Sequence, residues 1–361
     1  MNKSILIGIT IESVDSGTIN NINKLVNQKF GCFLLLNTTG EPITEIENIL
    51  KKADTEYSVE VDKFNYYYLC NNRLINLAVK IFPKCNYVLL LNQYMHIEGH
   101  QVLNNINNIT KTVDENIYSI KVVNTFNITE TMKPLLLKNN NSYKFMDDYH
   151  NTDNQAFIYE PLIIIQSMTR EKYLSSINTL NKIYDIQPQD ETIIYNLAIL
   201  NYESQEYQVA YELFNLIDIT STSNALDVDK YNVLYYSALC MMHLEYKWND
   251  VHAKLIEAHE IDPERLEALY QISYYFAKNN KINISYKYIK DYEFGKKPIR
   301  FSLMERGIYD IKIYALIAEL GIKVNDIVNG KKACERLLIL TPSDTVIDQL
   351  QKYIQLELSN K

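Results

Sequence analysis

Tyr87-Val88-Leu89-Leu90-Leu91-Asn92-Gln93-Tyr94 is the stretch that decides how the first half of the chain reads. Residues 88–91 form an unbroken apolar run of the length of a short strand buried on both faces. It stops abruptly at three polar positions. A strand of that kind belongs to a largely parallel sheet with helices over it, so the flanking sequence should alternate short apolar runs with amphipathic segments.

It does so over residues 1 to 160. Residues 5–9 predict a strand. After the turn-like Asp15-Ser16-Gly17, residues 18–29 place Ile19, Ile22, Leu25 and Val26 at helical spacing. Residues 33–36 predict a second buried strand, followed by the polar loop Asn37-Thr38-Thr39-Gly40-Glu41-Pro42 and a helix over 43–53. A third strand over 57–61 leads through the aromatic run Phe64-Asn65-Tyr66-Tyr67-Tyr68 to a helix over 71–82, for which Asn71 is a suitable cap. A short helix near 99–109 and strands at 117–123, 134–137 and 143–146 complete the expected sheet. Ligands of open α/β sheets sit at the carboxyl ends of the strands. The loops after residues 11, 37 and 92 should therefore converge on a cleft.

From about residue 160 the apolar period becomes helical, and 161–361 reads as a second domain. One stripe runs over 170–184. Segments 193–202 and 208–217 pair as a hairpin with Leu197, Ala198, Ala210 and Phe214 at the small and large packing positions of a tetratricopeptide-like repeat. A polar stretch over 220–229 precedes further pairs at 231–244 with 249–261, 265–278 with 282–292, and 304–320 with 325–340, then a capping helix at 345–358. Ile186-Gln187-Pro188, Ile261-Asp262-Pro263 and Leu340-Thr341-Pro342 repeat one helix-ending signature. The fold class expected is α/β followed by an all-α solenoid, whose repeats stack because none buries its apolar face alone. Tyr270, Tyr274, Tyr275, Phe276, Tyr286 and Tyr288 serve either as an aromatic surface for a peptide or glycan or as inter-repeat core with phenol tips reaching water.

The bulk composition excludes several classes. A net charge of -8 and pI near 5.4 argue against a nucleic-acid surface, which needs clustered Lys and Arg. No apolar run approaches the ~20 residues of a membrane span, and Met1-Asn2-Lys3-Ser4-Ile5-Leu6-Ile7-Gly8 is too short in apolar length for a signal peptide. A cytoplasmic protein is expected. Cys32, Cys70, Cys85, Cys240 and Cys334 form no Cys-x-x-Cys pair and read as reduced packing residues.

The order of these parts resembles the GT-A domain of family 2 glycosyltransferases, of the group with tetratricopeptide-like repeats behind the catalytic domain. The residues carrying the likeness are the Asn37-Thr38-Thr39-Gly40-Glu41 loop, Asn71-Asn72-Arg73 at a helix start, the strand ending Asn92-Gln93-Tyr94, and Tyr149-His150-Asn151. In the helical half they are Ala238-Leu239-Cys240, Glu267-Ala268-Leu269 and Ala333-Cys334-Glu335-Arg336. The resemblance implies transfer of a sugar from a nucleotide-sugar donor to a glycan or protein acceptor, with a divalent Mn2+ or Mg2+ bridging the diphosphate. It also implies a protein partner held by the repeats.

Such chemistry needs a base for the acceptor hydroxyl and a group to hold the departing diphosphate. The family's acids are replaced here: Asn92 and Tyr94 stand where carboxylates would hold the metal, Asn37 where an acid would contact the nucleotide base, and Asn151 where the late motif has Glu. Reduced metal dependence follows from the resemblance, and so does the alternative of a catalytically dead scaffold. The donor-binding candidates are Glu12, Asp15, Asn37, Arg73, Asn92 and Tyr94. Asp147, Asp148 and His150 are the catalytic candidates. Glu12 and Asp15 equally suit a solvated turn, and Arg73 a surface position in a first helical turn. His96 and His100, four apart with Glu98 between, would share one helix face as metal ligands or form a solvated loop pair.

Overall fold

The computed structural model describes residues 5–62, 67–98, 102–112, 115–124, 129–140, 142–145, 157–166, 170–220, 229–298 and 303–359. The chain forms two compact units, Met1–Lys172 and Tyr173–Lys361.

The first unit is a mixed sheet. β1 (Ile5–Ile11), β2 (Cys32–Asn37), β3 (Glu56–Val61) and β4 (Tyr87–Asn92) are parallel, and they are joined by α1 (Ser16–Asn27), α2 (Thr44–Lys52) and α3 (Tyr67–Ile81). Then come β5 (Met95–Glu98), α4 (Val102–Thr112), β6 (Ile117–Asn124), β7 (Thr129–Lys138) and β8 (Phe157–Gln166). The sheet order is β3-β2-β1-β4-β7-β6-β8-β5. β7 enters antiparallel against β4, with Val88 opposite Leu137.

Every residue of β1 and of β2 is buried, as the continuous apolar runs require when helices cover both faces. Right-handed crossovers explain the coverage. The steps β1 to β2 and β2 to β3 move in one direction and put α1 and α2 on one face, whereas β3 to β4 reverses direction and puts α3 on the other. α1 indeed packs on α2, and α3 on β1, β2 and β4. Gly8 leaves room for the neighbouring strand, because a Cβ there would lie only 3.2 Å from Leu90 of β4.

Four expectations need correction. Residues 157–166 are strand β8, so the helical part begins at Arg170 and not near 160. Residues 143–145 are not a strand: the backbone N–H and C=O of Phe145 bond the Asn72 side-chain amide at 2.8 and 2.7 Å. Asn71 is no cap, because α3 starts at Tyr67 and leaves it buried in the second turn. His96 lies on strand β5, paired with Ile165, and not on a helix face; His100 falls outside the described residues.

Among the described residues of the second unit, the regular elements are helices apart from the extended pair Met304–Glu305. After α5 (Arg170–Tyr184) come the hairpins α6 (Glu191–Glu203) with α7 (Tyr207–Phe214), α8 (Lys230–His243) with α9 (Trp248–Ile261), α10 (Glu267–Lys278) with α11 (Ile282–Ile289), and α12 (Ile313–Lys323) with α13 (Ile327–Leu340). α14 (Asp344–Ser359) packs on α13. Each second helix also touches the first helix of the next hairpin, and α6 meets α8, which is the stacking of a tetratricopeptide-like array. Asp190, Asp229 and Asp326 cap α6, α8 and α13 through bonds to backbone N–H groups. α14 is fastened by Tyr353, whose hydroxyl donates to Ala318 O at 2.6 Å and lies against Gly321 and Gly330. The aromatic residues pack chiefly on one another: Tyr275 stacks on Trp248 at 3.4 Å, and Tyr286 donates to Asp326 at 2.8 Å.

Candidate functional site

The sheet order makes the carboxyl ends of β1 and β4 a topological switch point, since the chain leaves β1 toward β2 on one side and returns to β4 on the other. The three loops do converge there. Thr38 donates to Ile11 O through both its N–H and its hydroxyl, at 2.9 and 3.0 Å. Gln93 N–H donates to Thr10 O at 3.2 Å.

The side chain that ties the loops together is Gln93, almost fully buried. Its Oε1 accepts from the backbone N–H groups of Glu12 at 2.6 Å and Ser13 at 2.9 Å. Its Nε2 donates to Ser13 Oγ at 2.8 Å, which in turn donates to Asp15 Oδ2 at 3.0 Å. The Gln93 carbonyl accepts from Asn21 Nδ2 at 2.9 Å. Sequence reasoning passed over Gln93 in favour of its neighbours. The only signal was its position at the end of an apolar strand.

The predicted donor residues fall as follows. Glu12 is exposed just past the end of β1. Asp15 is the N-cap of α1: Oδ1 accepts from Thr18 N at 2.8 Å, and that backbone bond chiefly holds the carboxyl below its ordinary pKa. Asn37 is buried and braces its own loop, with Oδ1 accepting from the Thr39 N–H and hydroxyl at 3.0 and 2.8 Å and Nδ2 donating to Glu41 O at 2.7 Å. Asn92 Oδ1 accepts from Tyr94 N at 3.0 Å, an Asx turn. Tyr94 is half-buried on that turn. Arg73, on α3, pairs with Asp62 just past β3 at 3.0 Å, so its charge is already partnered. Asp147, Asp148 and His150 lie outside the described residues.

A divalent cation does not fit the end of β4. Its ligand there would be a carboxylate oxygen, but Asn92 offers a neutral amide oxygen turned toward the Tyr94 N–H, and Tyr94 a phenol. Nearby, buried His96 has Nε2 3.1 Å from Lys24 Nζ and 3.5 Å from Glu98 Oε1. Burial, reinforced by Lys24, lowers its pKa and favours the neutral imidazole.

The helical unit holds the most charged interior cluster, and sequence reasoning did not assemble it. Arg265, between α9 and α10, is buried. Its Nη2 donates to Glu267 Oε1 at 2.6 Å and to Leu303 O at 2.8 Å, and its Nη1 to Asp229 at 3.2 Å. Its guanidinium lies 3.9 Å from the centre of the Tyr231 ring. Tyr231 and Tyr309 both donate to Glu267 Oε2. Tyr235 donates to Glu305 at 2.7 Å, and burial raises the Glu305 pKa. Links such as Tyr231 to Glu267 and Tyr235 to Gln271 span 36 residues and bridge equivalent positions of neighbouring hairpins. Each ion here has ionic or hydrogen-bonding partners, so the cluster is a structural tie.

No family profile and no curated protein matches the chain. Solved structures that match do so over about half of the chain. A Pseudomonas aeruginosa structure described under the functional characterisation of pilF is 11% identical, with a TM-score of 0.39 over 51% of this chain and 75% of that one. The C-terminal part of a TPR repeat-containing protein from Cytophaga hutchinsonii is 16% identical, with a TM-score of 0.39 over 52% and 67%. YrrB, described as a TPR protein with an unusual peptide-binding site, is 11% identical, with a TM-score of 0.33 over 50% and 84%. By the order and stacking of its own elements, the chain is an α/β-sheet unit followed by a tetratricopeptide-like helical unit. Among the described residues no helix is long and apolar enough to cross a membrane.

Proposed function

We propose that this chain is a diverged glycosyltransferase built on the GT-A plan, binding a nucleotide-sugar donor at the β1/β4 switch point with little or no help from a divalent cation. The observation that carries the reading is the convergence of the three strand-end loops on one crevice, where Thr38 meets Ile11 and Gln93 meets Thr10, Glu12 and Ser13. In this reading Asp147 or Asp148, beside His150, takes the proton of the acceptor hydroxyl as that oxygen attacks the anomeric carbon. The nucleoside diphosphate departs with the bonding electrons. The helical repeats hold the acceptor protein or another partner, a use consistent with the exposed surfaces such arrays present.

A second reading is favoured by a specific feature: Asn37 and Asn92 turn their amides onto local backbone, and Gln93 spends its amide on the loop after β1. That would suit a catalytically dead GT-A scaffold that recruits partners through its repeats. Calorimetric titration of the full chain with UDP-, GDP- and ADP-sugars, with and without Mn2+, separates the two. Binding of a donor without metal is expected. Failure of every donor to bind would leave only the scaffold, and binding that requires Mn2+ would overturn the weak metal dependence.

A further inference from the structure

The bonds of Gln93 have a chemical polarity of their own. Two successive backbone N–H groups, of Glu12 and Ser13, point at one oxygen, and Ser13 Oγ accepts from the adjoining nitrogen. The orientation of the amide is forced, because backbone N–H groups can only donate and must face Oε1. Ser13 Oγ gives its proton to Asp15 and so presents a lone pair to Nε2. The loop is therefore complementary to an acceptor immediately beside an N–H donor, the edge –C(=O)–NH–.

A lactam nucleobase carries that edge. Uracil offers O4 beside N3–H and guanine offers O6 beside N1–H, whereas cytosine and adenine offer an amino donor beside a ring-nitrogen acceptor, the reverse order. Phosphate suits the place poorly, since Glu12 and the Asp15 carboxylate flank the two N–H groups. Glu12 and Asp15 are exposed, so the loop carrying the donors borders solvent.

We propose that Gln93 is a built-in stand-in for a lactam base, holding the 12–13 loop shut until uracil or guanine takes over its three hydrogen bonds. This rests on the reading of the switch point as a nucleotide-sugar site. It adds the base class and the residue that regulates entry.

The test is calorimetric titration of the wild type, Gln93→Ala and Gln93→Glu with UMP, GMP, CMP and AMP, with melting temperature and circular dichroism as the check on folding. Gln93→Glu keeps the acceptor oxygen and so keeps the loop filled. The expected result is that Gln93→Ala binds UMP or GMP at least about tenfold more tightly than the wild type, while CMP and AMP change by less than about twofold and Gln93→Glu gains nothing. A folded Gln93→Ala with no gain for either lactam nucleotide, or with equal gains for all four, overturns the proposal. So does an equal gain in Gln93→Glu, which would mark mere loosening of the loop. Failure of the transferase reading shows separately: lactam selectivity in Gln93→Ala, with no nucleotide sugar bound or turned over by the wild type, keeps the base site and removes the transfer.

Discussion

The two units each hold a buried polar knot, made of opposite materials. At the end of β4, Gln93 and its neighbours are neutral amides bonded mainly to backbone groups, Asn37 and Asn92 within their own loops and Gln93 across to the loop after β1. Between α8 and α10, Arg265, Asp229 and Glu267 are ions bonded to one another, Arg265 to Glu267 at the start of one hairpin and to Asp229 across to the hairpin before it. Desolvating an ion is far more costly than desolvating an amide, so the ionic knot must stay assembled, while an amide can exchange its partners for water or a ligand at little cost. The concentration of charge therefore marks the architecture, and the amide knot is the one whose bonds can be exchanged.

The sharpest way to break this contrast is Arg265→Met. It leaves Glu267 buried beside Tyr231 and Tyr309 with no cation, and should cost the helical unit about 3–5 kcal/mol in denaturant unfolding. A loss below ~1 kcal/mol would show that the knot is dispensable.

Next is Gly330→Ala. The added methyl would collide with the Tyr353 ring, and a Cβ at Gly321 would already lie 2.6 Å from its hydroxyl. Overpacking of this kind costs about 1–3 kcal/mol. In a Tyr353→Ala background the same change should cost much less, a coupling that a double-mutant cycle reads directly.

A smaller effect, graded with pH, is expected from Glu305→Gln. Burial raises the Glu305 pKa in the folded state, so its protonated form supports the fold at low pH and that support is lost as pH rises through the raised value. The Gln variant keeps an acceptor for Tyr235 and has no proton to lose. Its stability should be flatter with pH than the wild type's and should match or exceed it near neutrality. A steeper fall in the variant would reverse the assignment.

The two knots also differ in how much of them the sequence discloses. The parallel strands were legible because 88–91 and 33–36 are continuous apolar runs, and the hairpins because Leu197, Ala198, Ala210 and Phe214 keep repeat spacing. β8 was hidden: Phe157–Gln166 carries Pro161 and adjoins a helical pattern, so its apolar run looked like the start of the solenoid. The spacing of His96 and His100 suggested a helix, but β5 takes its conformation from pairing with β8, a non-local cause no short window contains. Asp15 and Asn37 were found as polar residues at strand ends, yet nothing local distinguishes a ligand-facing carboxylate from a helix cap or an amide from a loop brace. Arg265 and Glu267 were missed for a related reason, since Asp229 and Leu303 lie 36 and 38 residues from Arg265, and Tyr231 and Tyr309 lie 36 and 42 from Glu267.

The finest test lies within the amides themselves. Asn37 both accepts, from Thr39, and donates, to Glu41 O, whereas the Asn92 side chain holds Tyr94 N–H through its oxygen. Restoring the acid that the resemblance places at each position should then have unequal effects. Asn37→Asp removes the donor and sets a carboxylate against the Glu41 carbonyl, and should cost about 1 kcal/mol. Asn92→Asp keeps an acceptor for Tyr94 N and should stay within about 0.5 kcal/mol of the wild type. Equal losses from both would mean that the negative charge itself is rejected by the crevice. The expected inequality instead makes hydrogen-bond polarity the deciding property, the same property by which the 12–13 loop would select a lactam edge.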